Sequence, residues 1–166
     1  MSPPRRPGPV LRGLLRAPVW LYRCGLGWTL GHRFLLLTHT GRRSGRRYQT
    51  VVEVVAFDRH AGEAVVMSGF GATADWYRNI RHASPAEVRI GRRRFQPTVR
   101  FLEAEEAVSV MADYEYRNRW AAPVVRRVLS LLVGWPYDGS AEARRRLVDE
   151  LPLVAFRPGL TVEPTP

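Results

Sequence analysis

Hydrophobic and polar positions along this chain fall into short blocks whose period keeps changing. Leu35, Leu36 and Leu37 precede a polar turn, GRRSGRR at residues 41–47, and Val51, Val52, Val54 and Val55 follow it. Apolar and β-branched residues bounded by Gly, Arg and Ser predict two strands joined by a polar loop. Residues 58–62 read as a turn and 63–68 (EAVVMS) as a third strand. A glycine-containing loop then feeds a helix with Thr73 as its N-cap, Asp75 in its first turn and Ser84-Pro85 as its stop. Trp76, Tyr77 and Ile80 share one face of that helix and are expected in the core. Residues 87–90 form a short strand. In residues 94–102, Phe95, Pro97, Val99 and Phe101 alternate with Arg94, Gln96, Thr98 and Arg100. Period two marks a half-buried strand, and Pro97 places it at a sheet edge or barrel rim.

From Glu103 onward the pattern turns helical, with acids in the first turn and arginines at the end. A second helix is predicted over residues 123–133, started by Pro123. Trp135-Pro136-Tyr137 interrupts it, and Ser140 caps a third helix that runs to Glu150. LVAF at residues 153–156 makes a last strand. About six short strands, joined mainly by hairpins, predict an α+β fold, mainly β: an antiparallel sheet closing into a small barrel with flanking helices. Residues 34–158 form this domain, residues 1–9 and 159–166 are tails, and residues 10–33 form a basic amphipathic helical segment. Neither a doubly wound sheet nor a P-loop fits.

Charge changes the picture at the N-terminal side. All 26 basic residues of the 166 are arginine. Residues 1–50 hold 10 of them and no acid, so +10 of the formal +11 lies there. Such asymmetry attracts phosphates, whether of a nucleic acid, an anionic membrane surface or an anionic small molecule. Arg12, Arg16 and Arg23 fall within about 40° of one another on a helical projection, an arginine stripe on an otherwise apolar segment. That segment is either a helix packed over one end of the sheet or an interfacial helix on acidic lipid, with Trp20, Tyr22 and Trp28 at headgroup level. Its arginines, glycines and proline leave no transmembrane run, and Arg5-Arg6 is followed by no cleavage site of a signal peptide.

Several chemistries are excluded. Without lysine there is no Schiff base and no Walker lysine. The single Cys24 makes no intrachain disulfide, and His32, His39, His60 and His82 lack metal-ligand spacing, so no metal is expected. A redox reaction would need an organic cofactor. The 41–47 turn supplies glycines for close backbone approach, a hydroxyl at Ser44, and four guanidinium forks. It reads as a site for a polyanion, or as a solvated basic hairpin tip.

LLLTHTGRRSGRRYQTVVEVV, VVMSGFGATADWYRNIR and LPLVAFRP, in that order, resemble the deazaflavin-dependent nitroreductase family over roughly residues 34–158. The TxTGRxSG turn and the WYxN helix start are the most specific pieces. The resemblance implies a split β-barrel, small actinobacterial proteins, and reduced coenzyme F420 as hydride donor to a small electrophile: a quinone, an activated alkene or a nitro compound. It implies that Arg42, Arg43 and Ser44 hold the coenzyme's phosphate and acidic tail, with Tyr48, Gln49, Thr50, Val51, Val52 and Glu53 running along it. Val66, Met67, Ser68 and Gly69 would line the ring, and Asp75, Trp76, Tyr77, Arg78 and Asn79 would close the site. In this picture Met67, Trp76 and Tyr77 form an apolar slot beside a mouth of Arg42, Arg43, Arg46 and Arg47.

Ser68 or Tyr137 would be catalytic, bonding the developing anion and relaying a proton. The other readings are a strand-end serine satisfying its loop, and a core aromatic beside Trp135. Three departures from the family pattern stand out: Tyr48 occupies a position where an arginine is usual, Gly69 one where a lysine is common, and an Asn-Pro before the aromatic pair is missing. The alternatives are the same barrel holding FMN or haem, or a non-catalytic module on anionic lipid. Nucleic acid is not expected as a partner. The protein is expected in the cytoplasm, with peripheral membrane contact and homodimers as possible states.

Overall fold

The computed structural model describes residues 32–85 and 87–159. The expectations for residues 1–31, including the arginine stripe, and for the end of the chain beyond residue 159 lie outside the described residues.

Seven strands form, in chain order β1 (Phe34–Thr40), β2 (Arg47–Asp58), β3 (Glu63–Met67), β4 (Glu87–Ile90), β5 (Arg93–Phe95), β6 (Pro97–Phe101) and β7 (Leu153–Pro158). Their order in the sheet is β5-β4-β1-β2-β3-β7-β6, antiparallel throughout. The outermost strands, β5 and β6, are consecutive in the chain with Gln96 alone between them. The chain itself therefore bridges the two edges, and the sheet becomes a nearly closed split barrel with little edge left to aggregate. The single strand expected over residues 94–102 is two strands broken at Gln96, whose carbonyl leaves both ladders to accept from Gly159 N at 3.0 Å. Pro97 sits at the sheet edge, as its missing N–H requires.

Two apolar layers follow from strand alternation. Leu35 and Leu37 of β1, Val52 and Val54 of β2, Val66 of β3, Val88 and Ile90 of β4, and Phe156 of β7 fill the barrel. Their opposite faces carry Val65 and Leu153, which meet a helical layer. A bulge in β2 between Val54 and Ala56 lets the strand serve both: Val55 and Ala56 both face the helices, while Phe57 returns to the barrel.

Helix α1 (Asp75–His82) plugs the barrel, burying Trp76, Tyr77 and Ile80. At about 1.5–3 kcal/mol for each large apolar side chain buried, this plug is a main source of stability at that end. Its N-cap is Ala74, without a side-chain cap; Thr73 ends a short 3-10 turn and its hydroxyl donates to Phe70 O at 2.9 Å. The expected Thr73 cap is thus displaced by one residue.

The outer layer consists of α2 (Ala104–Arg117), α3 (Ala122–Val133) and α4 (Ala141–Glu150). Met111, Leu129, Leu147 and Val148 pack on the sheet. Ser140 caps α4 as expected, its Oγ accepting from Ala143 N at 3.1 Å. Among the described residues no helix is long and apolar enough to cross a membrane.

Candidate functional site

The 41–47 turn folds back on itself through two backbone bonds, Gly45 N to Gly41 O and Gly41 N to Arg46 O, both 2.8 Å. Gly45 adopts φ +66°, a left-handed conformation that favours glycine. Gly41 is constrained by space: a Cβ there would lie 2.6 Å from Tyr48 Cε2 and 2.7 Å from Ser44 Oγ. That close fit lets Ser44 and Tyr48 share a hydrogen bond of 3.1 Å across the turn.

The turn leans on the start of α1, and between them lies a cleft of about 550 Å³. Arg42 is held there at three points. Its backbone N–H and its guanidinium Nη1 donate to Asn79 Oδ1 at 3.1 and 3.0 Å, and Nη1 also reaches Asp75 Oδ1 at 3.1 Å. Arg43, which also lines the cleft, has no ion pair among the described residues, and neither do Arg46 and Arg47 beside it. Phe70, Ala74 and Trp76 contribute the apolar wall.

Nine of the residues expected in the site come together around this one cleft: Arg42, Arg43, Ser44, Tyr48, Gln49, Thr50, Asp75, Trp76 and Asn79. The others are placed elsewhere. Val52 and Val66 are packed inside the barrel, and Val51 is half-buried on β2 outside the cleft. Tyr77 is part of the barrel plug, in edge contact with Phe101 at 5.5 Å. Arg78 is exposed, with Nε donating to Ala72 O at 3.3 Å. Glu53 accepts from Tyr114 Oη at 3.1 Å in a separate groove, where burial and the Glu53 carboxylate push the phenol up to about 12.

Met67 points into the helical layer and lines a groove under α3, and Gly69 lies against Leu132. The slot expected from Met67, Trp76 and Tyr77 is therefore not formed, because the barrel interior is filled by its own side chains. The opening lies outside it, at the turn.

Neither expected catalytic residue reaches the cleft. Ser68 is fully buried, its hydroxyl donating to Gly71 O at 2.7 Å, which satisfies the loop after β3. Tyr137 is 4% exposed in the helical layer, where it donates to Glu115, itself paired with Arg144 at 2.7 Å. Burial and the Glu115 carboxylate both push this phenol upward, so it holds its proton.

Phe70, Ala74 and His39 of the cleft escaped the sequence reading, and His39 is the polar one. His39, 3% exposed, lies between Asn79 Nδ2 at 3.0 Å and Thr50 Oγ1 at 3.3 Å, with its ring stacked 6.0 Å from that of Tyr48. The signal was present: His39 continues the inward set Leu35, Leu37 at period two, a polar residue on an apolar face next to the basic turn.

The profile of the F420H(2)-dependent quinone reductase family matches residues 14–126. The chain belongs to that family. This F420H(2)-dependent quinone reductase family member is accordingly an F420-dependent reductase, with reduced coenzyme F420 as its cofactor. No curated protein matches it significantly. Solved structures similar to it include the F420-H2 dependent reductase FDR-A, at 20% identity over 76% of this chain and 96% of that one, TM-score 0.44. A domain-swapped dimer matches at 20% identity over 85% and 100%, TM-score 0.44. A pyridoxamine 5'-phosphate oxidase-related, FMN-binding protein of Nostoc punctiforme matches at 14% identity over 92% and 81%, TM-score 0.47.

The cleft suits such a coenzyme. It joins a guanidinium without a partner among the described residues, Arg43, to a second one held at a fixed angle, Arg42, beside an apolar wall. An anion carrying a flat apolar head meets both requirements.

Proposed function

We propose that the cleft between the 41–47 turn and α1 binds coenzyme F420 and that the reaction reduces a small electrophile: a quinone, an activated alkene or a nitro compound. The family's description favours the quinone. When bound, the reduced coenzyme supplies a hydride for a two-electron reduction.

The chain's own contribution is placement. Arg42 and Arg43 neutralise the coenzyme's anionic portion, and Asn79 and Asp75 keep Arg42 from swinging into solvent. Ser44 and Tyr48 close one side of the turn, and Phe70, Ala74 and Trp76 exclude water from the other. The observation that carries this reading is the three-point anchoring of Arg42 at the mouth of a cleft with an apolar wall.

The test is titration of the wild type and of Arg42→Ala/Arg43→Ala with coenzyme F420, FMN and anionic liposomes in parallel. Coenzyme F420 should bind the wild type tightest, and the double variant should lose at least about tenfold in affinity while unfolding at nearly the same denaturant concentration. Preference for FMN, or binding to liposomes alone, would overturn the assignment.

We propose further that the protein works in the cytoplasm and touches an anionic membrane peripherally through α3. Trp120, Val124, Val128 and Leu131 are exposed on and just before α3, and Arg119, Arg126 and Arg127 are exposed beside them. An apolar stripe flanked by guanidinium groups suits the boundary of an acidic bilayer. Flotation with anionic but not neutral vesicles supports this contact. Concentration-dependent pairing in solution, with no flotation, would make α3 the surface of a homodimer instead.

A further inference from the structure

His39 is the most buried polar side chain of the cleft, and both of its ring nitrogens are engaged. Which nitrogen carries the proton follows from Arg42. Two N–H donors of Arg42 converge on one atom of the Asn79 amide, so that atom is the oxygen. The other amide atom is then NH2, which can only donate, and it faces His39 Nδ1 at 3.0 Å. Nδ1 must therefore accept. The ring is neutral, with its proton on Nε2, donating to Thr50 Oγ1 at 3.3 Å.

We propose that His39 is the positioning residue of the anion grip: its neutral, Nε2-protonated ring orients the Asn79 amide, and Asn79 in turn holds Arg42 in the cleft. The functional half of this inference rests on the cleft being the coenzyme's site.

Protonating Nδ1 would set two donors against each other at this 3.0 Å contact. Rotating the Asn79 amide relieves that clash by turning its NH2 onto the Arg42 N–H and guanidinium. With the amide turned, Arg42 loses the Asn79 acceptor and keeps only the exposed Asp75 carboxylate. The groups facing His39 are few. From α1, the Asp75 carboxylate attracts a proton onto the ring; from the turn, the Arg42 guanidinium lies on the far side of Asn79. From β2 come the Tyr48 ring and the Thr50 hydroxyl. From β4, Glu87 pairs beside Thr38, so it points to the opposite face, and Arg89 and Arg94 engage its carboxylate. Burial outweighs Asp75 and lowers the pKa of His39 below the ordinary imidazole value. Asn79 therefore holds Arg42 while His39 is neutral and lets it go once the ring is protonated, which burial delays to below the ordinary imidazole range.

The discriminating substitution is His39→Gln, whose amide can accept from Asn79 and donate to Thr50 but does not titrate. Calorimetric affinity for coenzyme F420 is measured against pH for the wild type, His39→Gln and His39→Leu. Wild-type affinity should fall about tenfold as pH is taken below the lowered His39 value, beyond whatever fall His39→Gln shows over the same range, since titration of the coenzyme itself is common to both. His39→Leu should bind about tenfold more weakly already at pH 7, because it leaves the Asn79 amide free to turn. Identical pH profiles for wild type and His39→Gln, or wild-type affinity in His39→Leu, would overturn the proposal. Imidazole nitrogen NMR of the ligand-free wild type gives an independent readout, and a proton on Nδ1 at neutral pH would contradict the hydrogen-bond chain. Absence of coenzyme binding by the wild type would overturn the cofactor reading and the functional half of this inference, while the NMR still decides the orientation of Asn79.

Discussion

Asn79 Oδ1 accepts from both the backbone N–H and the guanidinium of Arg42, at 3.1 and 3.0 Å. One atom of α1 thereby fixes the path of the basic turn and the direction of its first arginine.

Asn79→Ala removes both bonds from a residue that is 4% exposed. Hydrogen bonds to charged groups are worth about 1.5–3 kcal/mol, so coenzyme F420 affinity should drop roughly ten- to a hundredfold. Stability should fall by about 1–2 kcal/mol. Calorimetric titration and urea unfolding measure the two effects separately, and a loss of stability without a loss of affinity would speak against Arg42 as a ligand.

Gly41→Ala places a methyl group 2.6 Å from the Tyr48 ring and 2.7 Å from Ser44 Oγ. Tyr48 is 46% exposed, so its ring can swing outward and relieve the overlap. The expected outcome is rupture of the Ser44–Tyr48 bond, a severalfold weaker coenzyme complex, and a stability change of only about 0.5–1.5 kcal/mol. Thermal unfolding paired with titration checks this.

Ser68→Ala and Tyr137→Phe should act on folding and spare turnover. Ser68 donates to Gly71 O inside the loop after β3, and Tyr137 donates to Glu115 in the helical layer. Each substitution should cost about 1–2 kcal/mol of unfolding free energy. The rate of acceptor reduction at saturating coenzyme should stay within about twofold of wild type, whereas loss of an essential proton donor costs a hundredfold or more. Single-turnover kinetics distinguishes these outcomes.

Acid should unfold the protein in two stages. His39 is buried and neutral with a lowered pKa, so the unfolded chain takes up the proton first as pH falls below about 6.5. Stability then declines with falling pH, because the unfolded state binds more protons. Burial opposes the charge on Glu87, but the hydrogen bonds and charges of Arg89 and Arg94 outweigh it and hold the carboxyl below the usual range. Its stabilisation is present above the unfolded value, about 4.3, and is lost as pH falls through the folded one. In urea unfolding across pH, His39→Gln should shrink the shallow upper stage, leaving the part that His32 supplies through its own lowered value, and Glu87→Gln should flatten the lower one.

The basic turn and the strands on either side of it were legible because their signals are local: two glycines, four arginines and β-branched runs. Ser140 capping α4 was legible for the same reason. The expected ring-lining set failed on alternation. Val66 faces the barrel core and Met67 the helices, so consecutive residues 66–69 could not all line one slot. Distance along β2, rather than alternation, leaves Tyr48, Gln49 and Thr50 at the cleft and Val52 in the barrel, since only the end of the strand nearest the turn reaches the cleft. The break at Gln96 was invisible because period two persists through it; closure of the barrel, a long-range demand, bends the chain there. His39 was passed over because its partners, Thr50 and Asn79, are 11 and 40 residues away in sequence.

The most direct test of the account is a crystal structure of the protein with coenzyme F420. The prediction is density for the coenzyme's phosphate within hydrogen-bond distance of the Arg42 and Arg43 guanidinium groups, with its ring against the wall formed by Phe70 and Trp76. Coenzyme density in the groove between α3 and the sheet, with the 41–47 turn untouched, would contradict it.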